Sequence, residues 1–375
     1  MKFNFFKASY SVIVVTMTLL LVHYAGQVYR GGHPWKTGDW LINYSGGLIR
    51  RGLMGELSML IGAFTGIGLK WTIFFIQALA FTSFVYLVLN KFSKFKDAPA
   101  SVLLLLSPAF AFMFWVNSNA SVFRKELLVY LVVIMILEAF SRLRVSYSLY
   151  WSALALFVVS GLSHEIAIFA WPFLFFSIWD WSVKNKTSTA QMLLLNLPIA
   201  LVVVLILYVT LAYRGSLGSV TAICESLQGH GFREGICIGA ISWLQYDANF
   251  GYQQVLNYGV SFWLNYLILG LIAFTPLFFL KLDRPIWWLI AGSVFLILPL
   301  FLVAVDYGRF ISILFTSTVL VLIWTRAEIV KNLGGFSIWV GCLYCFTWAL
   351  PHCCANKPDL GFFMRLISLV FGISY

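Results

Sequence analysis

Paired arginines, Arg50-Arg51, follow the turn Ser45-Gly46-Gly47 and are the residues of this chain best matched to a polyphosphate. A guanidinium is planar, permanently charged and grips phosphate oxygens through two parallel hydrogen bonds. Such a pair could clamp a pyrophosphate, or it could meet lipid headgroups at a membrane surface. Asp39 lies on the same polar segment beside Trp40, with Glu56 further on, and is the candidate general base. Ser163-His164-Glu165 interrupts apolar sequence. Adjacent helical residues point about 100° apart, so these three cannot form a nucleophile–base–acid triad by themselves. Either one of them serves as a base or sugar ligand, or they belong to an intramembrane ion pair with Arg124 or Arg309. Asp306 and Arg309 are close enough on a helix to bridge each other. Alternatively Arg309 binds phosphate and Asp306 orients it. Arg124-Lys125-Glu126 has the same ambiguity, with Lys125 read as a structural partner, while Arg214 and Arg233 are read as solvated loop residues.

Nowhere does Asp-x-Asp, Glu-x-Asp or Glu-x-Glu occur, so the close carboxylate pair that holds a divalent cation on many sugar-phosphates is missing. Arginine-based neutralisation is the simpler expectation, with no metal and no cofactor. Cys342, Cys345, Cys353 and Cys354 cluster without a zinc-site spacing. Cys224 and Cys237 flank Gly229, Gly231 and Gly235, and are either a disulfide closing a small loop or two unrelated thiols. Trp35, Trp40 and Tyr44 could stack on sugar rings, although most Trp and Tyr here fit an interfacial aromatic belt.

The elements that must position these groups are set by composition. The chain is 61% hydrophobic, 18% aromatic and 10% charged, with mean hydropathy +0.90 over 375 residues. Soluble domains are about a quarter charged, so a water-soluble globular protein is excluded, as are disordered and fibrous chains. The expectation is an all-α, polytopic integral membrane bundle forming a single transmembrane domain over residues 1–375, with about 11–12 spans. Net charge +11 is read as topology rather than as nucleic-acid binding, because no basic domain, zinc finger or phosphate loop accompanies it.

Lys2 and Lys7 before the first apolar run place the N-terminus in the cytoplasm, and that run, Ser9 to about Val28, stays as an anchor. The further spans are expected at Trp71–Asn90, Pro99–Val116, Leu127–Phe140, Tyr150–Leu162, Ile166–Trp181, Gln191–Ala212, Val260–Leu280, Ile286–Val305, Ile311–Trp324 and Phe336–Leu350, with Phe362–Tyr375 a short last span or an interfacial tail. The first outward loop covers about 29–70 and includes an interfacial stretch, Leu53–Leu69; a larger one covers about 213–258. Inward connections carry mostly Lys, whereas outward ones hold most of the arginines with acids and histidines. An ion at the bilayer centre costs roughly 2.5–3.5 kcal/mol, so their gathering on one side predicts a polar chamber opening outward.

The stretches Asp39-Trp40, Ser45-Gly46-Gly47-Leu48-Ile49-Arg50-Arg51-Gly52, Ser163-His164-Glu165 and Asp306-Tyr307-Gly308-Arg309-Phe310, on this topology, resemble the bacterial O-antigen and capsule polymerases called Wzy and the related EpsG-like proteins. The resemblance implies an enzyme of the bacterial inner membrane that polymerises undecaprenyl-pyrophosphate-linked repeat units at the periplasmic face. Asp39 or Glu165, with His164 beside it, would handle the proton. Arg50, Arg51, Arg124 and Arg309 would hold the leaving pyrophosphate, with Asp306 and Trp40 completing the phosphate and sugar site. Partners would be the lipid-linked glycan, membrane lipids and a chain-length regulator or flippase.

The nearest alternative is a membrane glycosyltransferase of GT-C architecture, which uses a polyprenyl-phosphate sugar and an acid in its first outward loop, where Asp39 lies. An O-acyltransferase is hinted at by His23 alone. A lipid-linked-oligosaccharide transporter is the alternative from another class, and internal duplication would favour it; no convincing repeat is found.

Overall fold

The computed structural model describes residues 5–95, 99–141, 143–331, 338–355 and 359–361. Lys2, Lys96, Arg142, Lys357 and the expected tail Phe362–Tyr375 lie outside the described residues. The chain begins with α1 (Phe5–Tyr29), then the first loop carries α2 (Lys36–Leu41) and α3 (Leu53–Thr65) before α4 (Leu69–Phe92). There follow α5 (Pro99–Leu105), α6 (Ala111–Asn117), α7 (Glu126–Ala139), α8 (Tyr147–Ser163) and α9 (Trp171–Lys184). Next come α10 (Thr189–Ala212), the loop helix α11 (Leu217–Ser226), α12 (Ala248–Phe278), α13 (Arg284–Ile297), α14 (Leu300–Val303) and α15 (Tyr307–Thr325). The described chain ends in α16 (Ala327–Lys331), α17 (Ile338–Thr347) and a hairpin of β1 (Trp348–Ala349) with β2 (Asp359–Leu360), paired antiparallel.

The protein is an all-α, multi-pass membrane protein. Among the described residues, seven helices are long and apolar enough to cross a bilayer: Ala8–Tyr29, Leu69–Phe95, Glu165–Lys184, Thr189–Ala212, Ala248–Phe278, Arg284–Val303 and Tyr307–Thr325. The other expected crossings fall on shorter pieces. Pro99–Val116 is broken into α5 and α6 around Ser107-Pro108, because a proline removes a ladder hydrogen bond and clashes with the carbonyl four residues back. Leu127–Phe140 and Tyr150–Leu162 are the 14-residue α7 and the 17-residue α8. The stretch expected to cross from Val260 begins instead at Ala248, bending at Gly259, whose φ is 73°.

Contacts divide the chain into two compact units. One comprises Leu19–Leu87 and Phe123–Asp247. Its centre is α7, buried along almost its whole length and packed by α8 and α9. A helix apolar all round belongs in an interior. The opposite case is α10, whose Leu193, Leu194, Leu197, Leu201, Val204 and Leu211 are exposed, as befits a helix facing lipid. In the same unit α3 buries Met54, Gly55 and Ser58 and exposes Leu60, Ile61 and Phe64, the last by 93%.

The other unit comprises Met1–Thr18, Val88–Val122 and Ala248–Tyr375. Its centre is α15, in which every residue from Tyr307 to Trp324 is buried. It is packed by α6, α12 and α13, and α5 lies beside α16 and α17.

Candidate functional site

In the first-loop unit every residue of α2 is buried, including Lys36, Asp39 and Trp40. The helix is started by His33, whose Nδ1 accepts from the backbone N–H groups of Trp35 and Lys36. Burial, with Lys36 beside it, lowers the His33 pKa to about 4, so this ring is a neutral acceptor. Lys36 donates through Nζ to Gln27 Oε1 at 3.1 Å, and burial lowers its pKa to about 8. α3 closes tightly on α2: a Cβ at Gly55 would lie 2.1 Å from the Ile42 carbonyl oxygen, so only glycine fits that crossing.

Asp39 is fully buried between two cations, 3.6 Å from Arg124 Nε and 3.8 Å from Lys125 Nζ. Burial pushes its pKa up, but Lys125 and Arg124 outweigh that and hold the carboxylate well below its usual range. Lys125 is itself fully buried and lowered to about 8, burial outweighing the pull of Asp39. Its ammonium also donates to the carbonyls of Ser163 at 2.8 Å and Arg51 at 3.1 Å. One lysine thus ties together the first loop, the start of α7 and the end of α8.

Two bulky residues flank this knot in the left-handed region, Phe123 with φ 61° and Arg51 with φ 69°. Such backbone costs about 1–3 kcal/mol at a non-glycine residue and persists only where surroundings impose it. The carbonyl of Phe123 accepts from Trp40 Nε1 at 2.9 Å and from Gln77 Nε2 at 2.8 Å. Gln77 also donates to the carbonyl of Lys36 and accepts from the Tyr24 hydroxyl. The carbonyl of Arg51 is the Lys125 acceptor just described. Each strained residue therefore turns a carbonyl toward buried donors of the site.

Arg51 binds Glu165 through both prongs, Nε to Oε2 at 2.7 Å and Nη2 to Oε1. Arg50 approaches the same carboxylate at 3.9 Å and donates to the Tyr246 carbonyl at 3.3 Å. α8 ends at Ser163, and His164 turns extended and accepts the Ile166 N–H at its Nδ1. Burial, then the charge of Arg51, lowers the His164 pKa to about 3, so its 3.7 Å approach to Glu165 is not a charged pair at neutral pH. The side chains of Arg50, Arg51 and Glu165 keep 20%, 21% and 18% exposure, whereas Asp39 and Lys125 keep 1% and none. A ligand can reach the arginine pair and Glu165, with the Asp39 knot behind them.

Arg50, Arg51, Arg124 and Lys125 thus set four cations against the carboxylates of Asp39 and Glu165. The cations stay in excess when the neighbouring Glu126 is counted. Of the residues singled out in the sequence, these and His164 come together. Trp40 joins them as a structural member, fully buried with its indole N–H committed to Phe123, and offers no face for a sugar. Trp35 instead stacks under Arg124, 5.6 Å from ring centroid to guanidinium carbon.

Arg309 and Asp306 belong to the other unit, where they bond each other as their spacing allows. Arg214 and Arg233 are exposed. Cys224 and Cys237 are joined in a disulfide with Cα atoms 6.2 Å apart. The contribution of Gln77 had no sequence signal beyond a polar residue in apolar surroundings. Trp35 and Ser163, by contrast, are picked out in the sequence and take other roles here, under Arg124 and as a carbonyl acceptor of Lys125. Comparison with protein-family models, with curated proteins and with solved structures finds no match to this chain.

Proposed function

We propose that this protein is a glycosyl-transferring enzyme of the bacterial inner membrane, with its N-terminus in the cytoplasm, that polymerises undecaprenyl-pyrophosphate-linked oligosaccharide units at the periplasmic face. The observation that carries the reading is the cationic excess of Arg50, Arg51, Arg124 and Lys125 over Asp39 and Glu165, gathered beside apolar helices with the arginine pair still accessible. A lipid-linked pyrophosphate needs such a site: charge neutralisation next to a surface that accepts a hydrocarbon tail.

In the step, an acceptor-sugar hydroxyl oxygen bonds to the anomeric carbon of the donor glycan. The bond from that carbon to the pyrophosphate oxygen breaks, and its electron pair leaves with the pyrophosphate. Arg50 and Arg51 stabilise that developing charge in a low-dielectric site, where such groups act most strongly. The hydroxyl proton passes to Glu165. Phosphate arriving on Arg51 competes with Glu165 for the guanidinium and frees the carboxylate as a base. Asp39, held deeply ionised, is a weak base and acts by fixing Arg124 and Lys125.

A second reading is favoured by the placement of Asp39 on a short helix in the first loop, followed by an amphipathic helix with an apolar exposed side. That placement suits a GT-C-type transferase using a polyprenyl-monophosphate sugar. Purified protein in liposomes, given pyrophosphate-linked oligosaccharide, should yield a ladder of products on a gel. A single addition from a monophosphate sugar, with no ladder, selects the second reading. No transfer from either donor overturns both.

A further inference from the structure

In the unit built around α15, Asp306, His352 and Cys353 come together from two distant stretches of chain. One ligand atom of each, a carboxylate oxygen, an imidazole nitrogen and a thiol sulfur, lies within 4.8 Å of the others. We propose that this triad is a binding site for a zinc-class divalent cation, independent of the arginine cluster.

The turn that carries His352 and Cys353 is fixed by two helices, α15 and α12. At Gly308 a Cβ would sit 1.8 Å from the Pro351 carbonyl oxygen, so glycine at this position lets the turn lie directly on the start of α15, beside Asp306. From α12, the Tyr266 hydroxyl donates to that Pro351 carbonyl at 3.4 Å, and Asn265 Nδ2 donates to the Ala355 carbonyl at 3.0 Å. The turn is therefore clamped at both ends, with the two ligand residues between the clamps. Preorganisation of this kind is what a metal site requires, because ligands on a loose turn must be ordered on binding.

The donor set decides the ion. One carboxylate, one imidazole and one thiolate suit zinc, whereas magnesium and calcium require mostly oxygen ligands. Tetrahedral coordination at about 2.0–2.3 Å places ligand atoms roughly 3.4–3.7 Å apart. Closure from the observed spacing is thus a shift of about 1 Å. His352 Nε2 already approaches Asp306 Oδ1 at 3.9 Å. Arg309 holds the other oxygen, Oδ2. That charge-assisted bond fixes the carboxylate from one side, the usual role of a metal site's outer partner. Three protein ligands leave a fourth position for water or another ligand.

Cobalt(II) is the probe, because a thiolate-bound four-coordinate cobalt shows d–d bands and a sulfur-to-metal charge-transfer band. Full-length protein in detergent, freed of metal by chelation and kept reduced, should bind one equivalent with both signatures and lose them when zinc is added. Cys353→Ser should abolish the charge-transfer band, and His352→Ala should weaken binding at least ~10-fold. Cys342→Ser, a thiol on α17 outside the triad, should leave the spectrum unchanged. Should a variant not fold, zinc protection of Cys353 from alkylation in the wild-type chain, read by peptide mass, serves instead. No charge-transfer band, a band surviving Cys353→Ser, absence of zinc protection, or a Cys353–Cys354 disulfide in the protein as isolated overturns the proposal.

Discussion

Arg51 and Glu165, separated by 114 positions in sequence, form a two-pronged ion pair that fastens the first loop to the junction between α8 and α9. Both side chains keep about a fifth of their surface exposed, so the pair lies between a buried bridge and a screened one. Glu165→Gln should lower unfolding stability by about 1–3 kcal/mol. Arg51→Ala added to Glu165→Gln should cost much less than it does alone. A double-mutant cycle from thermal unfolding in detergent reads this directly. Additive losses would mean that the two side chains act separately.

The Asp39 knot should be more costly to break. Asp39→Asn leaves Arg124 and the fully buried Lys125 without their compensating carboxylate. Removing one member of a buried pair costs about 3–5 kcal/mol. The yield of monodisperse protein should fall sharply, and Lys125→Met in the Asp39→Asn background should recover part of it. No recovery would show that Lys125 matters through its bonds to the Ser163 and Arg51 carbonyls rather than through charge.

The difference between these two groups and Asp306–Arg309 shows what a sequence can reveal. Asp306 and Arg309 are one helical turn apart, so their bond follows from spacing alone. Glu165 has no cation one helical turn away; the sequence points to Arg124 or Arg309 as its partner, and the fold supplies Arg51 instead. The apolar runs made the helical class legible, and with it the short α7 and α8, expected at Leu127–Phe140 and Tyr150–Leu162, but not the break at Pro108. Trp40 and Trp35 read alike in sequence. Only the packing of α2 shows that one is core and the other lies under Arg124.

If the arginine pair binds the carrier pyrophosphate, Arg50→Ala should reduce glycosyl transfer by ~100-fold or more at unchanged protein level. Arg144→Ala, on an exposed connection, should leave transfer unchanged. Arg50→Lys should restore little, because an ammonium lacks the two-pronged fit. Product ladders and immunoblots from the same membranes separate loss of activity from loss of protein. Equal activity in all three variants would remove Arg50 from the site.

Acid should loosen this unit in two stages. His164 has a folded pKa of about 3 against an unfolded value of about 6.5, because burial and then Arg51 oppose its protonation. As pH falls below about 6.5 the unfolded chain takes up this proton and the folded one does not, so stability declines by up to about 1.4 kcal/mol per pH unit. Asp39 is depressed below its unfolded value of about 4, so its contribution is present above that pH and is lost only as pH falls further. His164→Asn, whose Oδ1 replaces Nδ1 as acceptor for the Ile166 N–H, should flatten the decline between about pH 6 and pH 5 and leave the steeper fall below about pH 4 intact. Melting temperatures of the purified protein across this range test the assignment. An unchanged slope between pH 6 and pH 5 in His164→Asn would show that the imidazole takes a proton in the folded state as readily as in the unfolded chain, contrary to its place beside Arg51.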